Sequence, residues 1–105
     1  MVTVELNVTK SKIAKGHRRN NSSCPIALAA IAAGFKNVSV DSESIEFTDK
    51  NGEWYAISTP PTATKFIERF DIIGAEAVKP FKFRVRIKNS VAKLLKLKKR
   101  YIVAA

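Results

Sequence analysis

The chain has 105 residues, of which 46% are hydrophobic, and a formal net charge of +10 at pH 7. This length corresponds to one domain, and the apolar fraction excludes a chain that is disordered throughout. The longest apolar run, from Ile26 to Ala33, is far shorter than the ~20 residues of a membrane span. One cysteine excludes an internal disulfide, and the first residues do not resemble a signal peptide, so we expect a soluble cytoplasmic protein without a membrane partner.

Alternating apolar and polar residues predict a first strand over residues 2–8. Residues 9–23 are predicted to form a polar loop with one helical turn around Ile13. An alanine-rich helix is predicted from Cys24 to Ala33, with Gly34 at its end. A short strand around Val38 and Val40 follows this helix.

Asn51-Gly52 lies between two β-rich runs, residues 45–47 and 54–57, and predicts a hairpin. Apolar residues at helical spacing predict a helix over residues 64–73. The segment KPFKFRVRIK, residues 79–88, alternates strictly and predicts the last strand. From about Ser90 we expect a short basic helix with a frayed end.

The predicted order is β-α-β-β-β-α-β followed by a basic C-terminal tail. This order favours an α+β fold with a small, mainly antiparallel sheet of about 4–5 strands and two helices on one face. We assign residues 1–88 to a single domain and residues 89–105 to a basic C-terminal helix or tail.

The charges are segregated along the chain. Residues 1–35 carry a net charge of +4, residues 36–76 a net charge of −4, and residues 77–105 a net charge of +10. Segregated charge produces a directional field that favours an anionic partner. The alternative is a solvated basic tail that has no specific partner.

Arginines and serines precede the predicted helix at Cys24. The N-terminus of a helix offers unpaired N–H groups to a phosphate. Ser22 and Ser23 add hydroxyl donors, and Arg18 and Arg19 can bind phosphate with bidentate hydrogen bonds. The alternative is ordinary helix capping beside solvated arginines, since no glycine-rich loop of the P-loop type is present.

The last predicted strand places four cations on one face: Lys82, Arg84, Arg86 and Lys88. Like charges at this spacing repel each other. Either this face binds phosphates, or acidic residues on adjacent strands, Glu5, Glu46 or Glu53, neutralise it. The tail adds four further candidate phosphate contacts, Lys96, Lys98, Lys99 and Arg100. Its leucines are expected to pack the tail onto the domain.

His17 and Cys24 are the only histidine and the only cysteine. A thiolate at a helix N-terminus beside a histidine is a possible nucleophilic pair. However, no third orienting group is marked, and a buried structural cysteine is the commoner case. One cysteine and one histidine do not fill a zinc site. We therefore predict a protein that is not an enzyme and has no metal or cofactor.

Four strings, residues 13–16, 23–29, 66–71 and 78–83, resemble a set of small bacteriophage and prophage proteins, mostly without assigned function. In those proteins a Cys-Pro-Ile/Val-Ala helix is followed by a Phe-x-x-x-Phe-Asp helix and a Pro-Phe-x-Phe strand. The resemblance covers about residues 13–87, and the serine-rich lead-in and basic tail depart from it. It implies a phage source, a host-cell cytoplasmic location and a non-catalytic role.

Together these patterns predict a non-enzymatic phage-type accessory protein that binds a phosphate-bearing ligand. Nucleic acid, DNA or RNA, is favoured because cations spread over distant segments suit a long polyanion. One alternative is a sponge for a signalling nucleotide of host defence, and another is an inhibitor that binds a host defence protein. A homodimer is a further possibility. The hypothesis that Arg18 and Arg19 lie near Arg84 and Arg86 joins the two sites.

Overall fold

The computed structural model describes residues 1–104 and confirms an α+β fold. Within these residues the strands are β1 (Val2–Val8), β2 (Lys36–Val40), β3 (Ser44–Thr48), β4 (Trp54–Ser58), β5 (Phe81–Ile87) and β6 (Ile102–Ala104). The helices are α1 (Lys10–Lys15), α2 (Pro25–Ala33), α3 (Pro61–Ile72) and α4 (Asn89–Ala92), with 3₁₀ turns at Ala75–Ala77 and Lys99–Tyr101. The strands form two three-stranded antiparallel sheets, β5-β1-β6 and β2-β3-β4.

This architecture corrects the prediction of one sheet with about 4–5 strands. The described residues contain six strands in two sheets. α1 contains the helical turn predicted around Ile13, α4 falls in the region of the predicted basic helix, and β6 is a strand that the prediction lacks. The division arises because β1 pairs with β5 and β6, both from the end of the chain, while β2, β3 and β4 pair with each other.

In the first sheet, β5-β1-β6, apolar and polar residues alternate along β1 and β5, and the apolar side chains form the inner face. Val4 lies opposite Val85, and Leu6 lies opposite Phe83. All four side chains are buried, and their neighbours in sequence therefore project from the outer face.

Helix α2 is buried against both sheets, with contacts to β1 and to β2. Ile26, Ala27, Ala29, Ala30 and Ala33 are fully buried. A helix that is apolar on nearly all sides is stable only in such an interior position. Its predicted limits are confirmed, since Cys24 is the N-cap residue and Gly34 ends the helix with φ +109°.

The predicted hairpin is confirmed as β3 and β4, but its loop is longer than a two-residue turn. Asp49 donates its backbone N–H to the carbonyl of Glu53, and Gly52 has φ +83°. The Asp49 carboxylate accepts the backbone N–H groups of Asn51 and Glu53. This side chain therefore fixes the loop from inside, as aspartates in turns commonly do.

Helix α3 begins at Pro61, three residues earlier than predicted, because proline is well suited to the first turn of a helix. Its apolar face includes Phe66 and Phe70, whose rings stack 5.9 Å apart. Phe66 also packs against Phe81 at the start of β5, with ring centroids 5.1 Å apart. These contacts place α3 at the same end of the first sheet as the beginning of β5.

The predicted basic helix from Ser90 is limited to α4, and residues 102–104 form β6 rather than the frayed end of a helix. Leu95 and Leu97 pack against the core, as expected for the tail leucines. The backbone N–H of Lys98 donates to the carbonyl of Ala33 at the end of α2, and that of Lys50 donates to Leu94. These hydrogen bonds and the β1–β6 pairing attach residues 89–104 to the rest of the fold.

None of the helices formed by residues 1–104 has both the length and the apolar composition needed to cross a bilayer.

Candidate nucleic-acid interface

Three exposed cations on the outer face of β5, Lys82, Arg84 and Arg86, form a row with the exposed Lys88, which directly follows the strand; the four are here named the basic row. The row exists because Phe83, Val85 and Ile87 are buried on the inner face, which directs the alternate side chains outward. The side chains of Lys82 and Arg84 are 69% and 63% exposed, respectively. Their donor groups are therefore accessible to a ligand.

One carboxylate on the neighbouring strand partly neutralises the basic row. Glu5 lies opposite Arg84 in the β1–β5 register. Its carboxylate accepts a hydrogen bond of 3.2 Å from Nε of Arg84 and lies 4.0 Å from Nζ of Lys82. The other two candidate acids, Glu46 and Glu53, belong to the second sheet and the hairpin loop and form no ion pair with the row among the described residues.

Arg86 and Lys88 form no ion pair with any carboxylate in residues 1–104. Arg86 lies opposite Thr3, an uncharged residue, on β1. Neighbouring like charges on one sheet face cost tenths of a kcal/mol to about 1 kcal/mol per pair. An anion on this face relieves that repulsion, and each guanidinium supplies five N–H donors to it.

The basic row also has a structural explanation, because β5 pairs only with β1 among the described strands. Charged side chains on an edge strand discourage pairing with another chain. That role requires repulsion only, whereas an anion-binding role requires that the cations lack acidic partners. The second half of the row satisfies this stricter condition.

Arg18, which the sequence marks as a phosphate ligand, binds the end of α3. Its Nη2 donates to the carbonyls of Asp71 and Ile72 at 3.0 and 2.7 Å, and its Nε donates to Asp71 at 3.2 Å. The backbone N–H of Arg19 donates to the Asp71 carboxylate at 2.9 Å, with φ +55° at Arg19. Since carbonyls at a helix C-terminus attract a cation, Arg18 acts there as a cap.

Ser22 and Ser23 take part in a local turn. Their backbone N–H groups donate to Oδ1 of Asn20. The hydroxyl of Ser23 lies 3.1 Å from Nδ1 of His17, within hydrogen-bond distance. Both serines are thus beside the N-terminus of α2, while His17 is paired with Ser23 and not with Cys24.

Cys24 caps α2 and is buried. Its Sγ accepts the backbone N–H of Ala27 at 3.4 Å. Burial raises the pKa of the Cys24 thiol, and the negative charge of Asp71 adds to that rise, although nearby backbone N–H groups oppose it. A raised pKa favours the neutral thiol over the reactive thiolate at neutral pH.

The two groups of phosphate ligands that the sequence predicts, residues 18–23 and the basic row, have different neighbours in the fold. Helix α2, which follows Ser22 and Ser23, packs on the inner face with β1, whereas the basic row projects from the outer face. Among residues 1–104, no hydrogen bond or ion pair joins Arg18 or Arg19 to Arg84 or Arg86.

The tail cations lie in the segment between α4 and β6, which packs beside the end of α2 and the hairpin loop of the second sheet. All four are exposed: Lys96, Lys98, Lys99 and Arg100. The guanidinium of Arg100 lies 5.1 Å from the ring centroid of Tyr101. The tail therefore adds four exposed cations to the surface of the protein.

A cleft of about 340 Å³, which no sequence pattern predicts, lies next to Arg86 and Lys88. Tyr55 lines this cleft, whereas Trp54 points outward and is 59% exposed. The half-buried state of Tyr55 and Ile57 reflects the open position of β4 at the edge of its sheet. No sequence pattern indicates the cleft, because the cleft forms only where strands of the two sheets lie next to each other.

Residues 1–104 contain no group of three or more His, Cys, Asp or Glu side chains placed to hold a metal ion.

Comparison of the chain with protein-family models, with curated protein sequences and with solved structures found no match.

Proposed function

We propose that this protein is a non-enzymatic accessory protein that binds nucleic acid through the outer face of β5. The observation that supports the proposal is the basic row, in which one carboxylate faces four exposed cations. Nucleic acids present phosphates in a repeating line, and cations that contact them release condensed counterions. A strand that presents a cation at every second residue suits such a line.

The proposed setting is the cytoplasm, which is the host cell's cytoplasm if the resemblance to phage proteins holds. The exposed cations of the tail, Lys96, Lys98, Lys99 and Arg100, provide further phosphate contacts. The row reads no base edges, so we propose that binding depends mainly on the phosphate backbone.

The test measures the affinity for labelled oligonucleotides between 50 and 200 mM salt. If four phosphates are contacted, affinity falls roughly 50- to 150-fold over this range. The variant Arg86→Glu/Lys88→Glu should bind at least 10-fold more weakly than the wild type at low salt, because each reversed charge repels phosphate. Circular dichroism verifies that the variant is folded.

The matched control is Lys36→Glu/Lys50→Glu, which changes the net charge equally at exposed positions of the second sheet and its hairpin loop. It should retain most of the affinity. Equal losses in the two variants would show that total charge matters and the basic row does not. No binding of any oligonucleotide by the wild type would disprove the proposed function.

A further inference from the structure

The cleft beside the basic row has an apolar interior. The apolar and aromatic side chains that line it are Met1, Phe47, Tyr55, Ile57, Ile87 and Val91. Arg86 and Lys88, the two members of the row without ion pairs among residues 1–104, line the same cleft. Its volume of about 340 Å³ falls within the range of clefts that hold small organic groups.

The aromatic wall of the cleft is held in place before any ligand binds. The ring of Tyr55 stacks on Phe47 with centroids 5.8 Å apart and planes inclined by 24°. The Tyr55 hydroxyl donates to Oδ2 of Asp49 at 2.8 Å. Asp49 is buried and fixed by the hairpin loop. A preorganised ring loses little conformational freedom when a ligand stacks on it.

The pKa directions of this pair agree with its geometry. The hydrogen bond to Asp49 raises the pKa of Tyr55, and burial adds to the rise. Burial alone raises the pKa of Asp49, but the hydrogen bonds from Tyr55 and from the loop N–H groups outweigh it, and the pKa is lowered. The hydroxyl thus remains protonated and the carboxylate charged at neutral pH.

We infer that the cleft takes one nucleobase of a single-stranded nucleic acid whose phosphates follow the basic row. This inference rests on the proposed function. A lone small anion needs only Arg86 and Lys88, yet the row continues through Arg84 to Lys82, away from the cleft. Alternate residues of a strand are about 6.7 Å apart, comparable to successive phosphates of an extended single strand.

A nucleic acid has two parts, bases with flat aromatic faces and negatively charged phosphates. The apolar cleft suits a base, and the row of cations beside it suits the phosphates. Bases stack on aromatic side chains regardless of sequence, and phosphates pair with cations. In a duplex the bases are stacked inside the helix, and placing one in a cleft requires unpairing. The cleft therefore selects single strands over duplexes.

The first test uses the wild-type protein and two single strands with the same number of phosphates. One strand carries bases and the other contains only abasic sites. Stacking of one base should make the base-containing strand bind roughly 5- to 100-fold more tightly. Equal, salt-sensitive affinities for both strands would overturn the cleft inference while leaving the proposed function intact, and absence of binding to both would overturn the two together.

The second test removes the aromatic ring from the cleft. Tyr55 lines the cleft, and Tyr55→Leu should abolish the preference for bases while salt-dependent binding to abasic strands is retained. The control is Trp54→Leu, which removes an aromatic ring at a 59% exposed position of the same strand outside the cleft. Persistence of the base preference in a folded Tyr55→Leu protein would contradict the inference.

Discussion

Arg18, before α2, and Arg86, on β5, have different surroundings. The Arg18 guanidinium donates three hydrogen bonds to carbonyls at the end of α3. Arg86, in contrast, faces Thr3 and has no carboxylate partner within residues 1–104. The comparison indicates that a basic side chain remains available to a ligand where the fold places few carbonyl or carboxylate oxygens within its reach.

The tail carries a third group of cations. Its attachment to the fold depends on Gly34, because the tail backbone packs directly against this residue. A Cβ at Gly34 would lie 2.3 Å from the carbonyl oxygen of Lys96, at φ +109°. Gly34→Ala should lower the free energy of unfolding by about 3 kcal/mol, because backbone strain adds to displacement of the tail. Urea denaturation measures the loss.

Gly52→Ala is the matched control for this variant. Gly52 also has a positive φ, +83°, but nothing lies within 4 Å of an added Cβ. Strain alone should cost about 1 kcal/mol there. Equal losses at the two glycines would mean that contact with the tail contributes nothing.

Alanine substitution at Arg18 and at Arg86 tests the comparison directly. Arg18→Ala should lower the free energy of unfolding by about 1–2 kcal/mol, because charged hydrogen bonds to the helix end are lost at an exposed site. Arg86→Ala should change stability by less than about 0.5 kcal/mol and should instead weaken oligonucleotide binding. Thermal unfolding and a titration with one labelled strand give both quantities. The opposite pattern would reverse the roles assigned to the two arginines.

Removal of the Glu5 carboxylate, which faces the basic row, tests whether an acidic partner makes these cations less available to a ligand. Glu5→Gln should strengthen oligonucleotide binding roughly 3- to 5-fold at low salt, because one repulsion worth about 1 kcal/mol or less in water disappears. Stability should change little, since partly exposed ion pairs contribute about 0–1 kcal/mol. Glu76→Gln, an exposed acid in a 3₁₀ turn, provides the control with the same charge change. An equal gain in both variants would point to net charge alone.

The elements in which apolar and polar residues follow a regular pattern could be predicted from the sequence. The limits of β1 and α2 follow from alternation, from the apolar run and from Gly34, and the inner and outer faces of β5 follow from its pattern. β6 could not be predicted, because three residues become a strand only through pairing with β1. Nothing in the sequence of residues 102–104 indicates that they pair with β1.

The candidate site could be predicted in part. The basic row requires only the alternation of β5, and Glu5 was among the three acids considered for it. The acceptors of Arg18 are backbone carbonyls more than fifty positions away, and every residue has such a carbonyl. The cleft lies between strands of two sheets, so that no single stretch of sequence contains it.

The position of β1 in the middle of the first sheet has a consequence for the order of folding. Glu5 and Arg84 are 79 residues apart, and the third strand begins only at Ile102. The second sheet and α2, by contrast, connect residues that are close in sequence, which is typical of contacts that form early. During synthesis β1 therefore stays unpaired until β5 has been made, and the basic row acquires its facing carboxylate, Glu5, only at that stage.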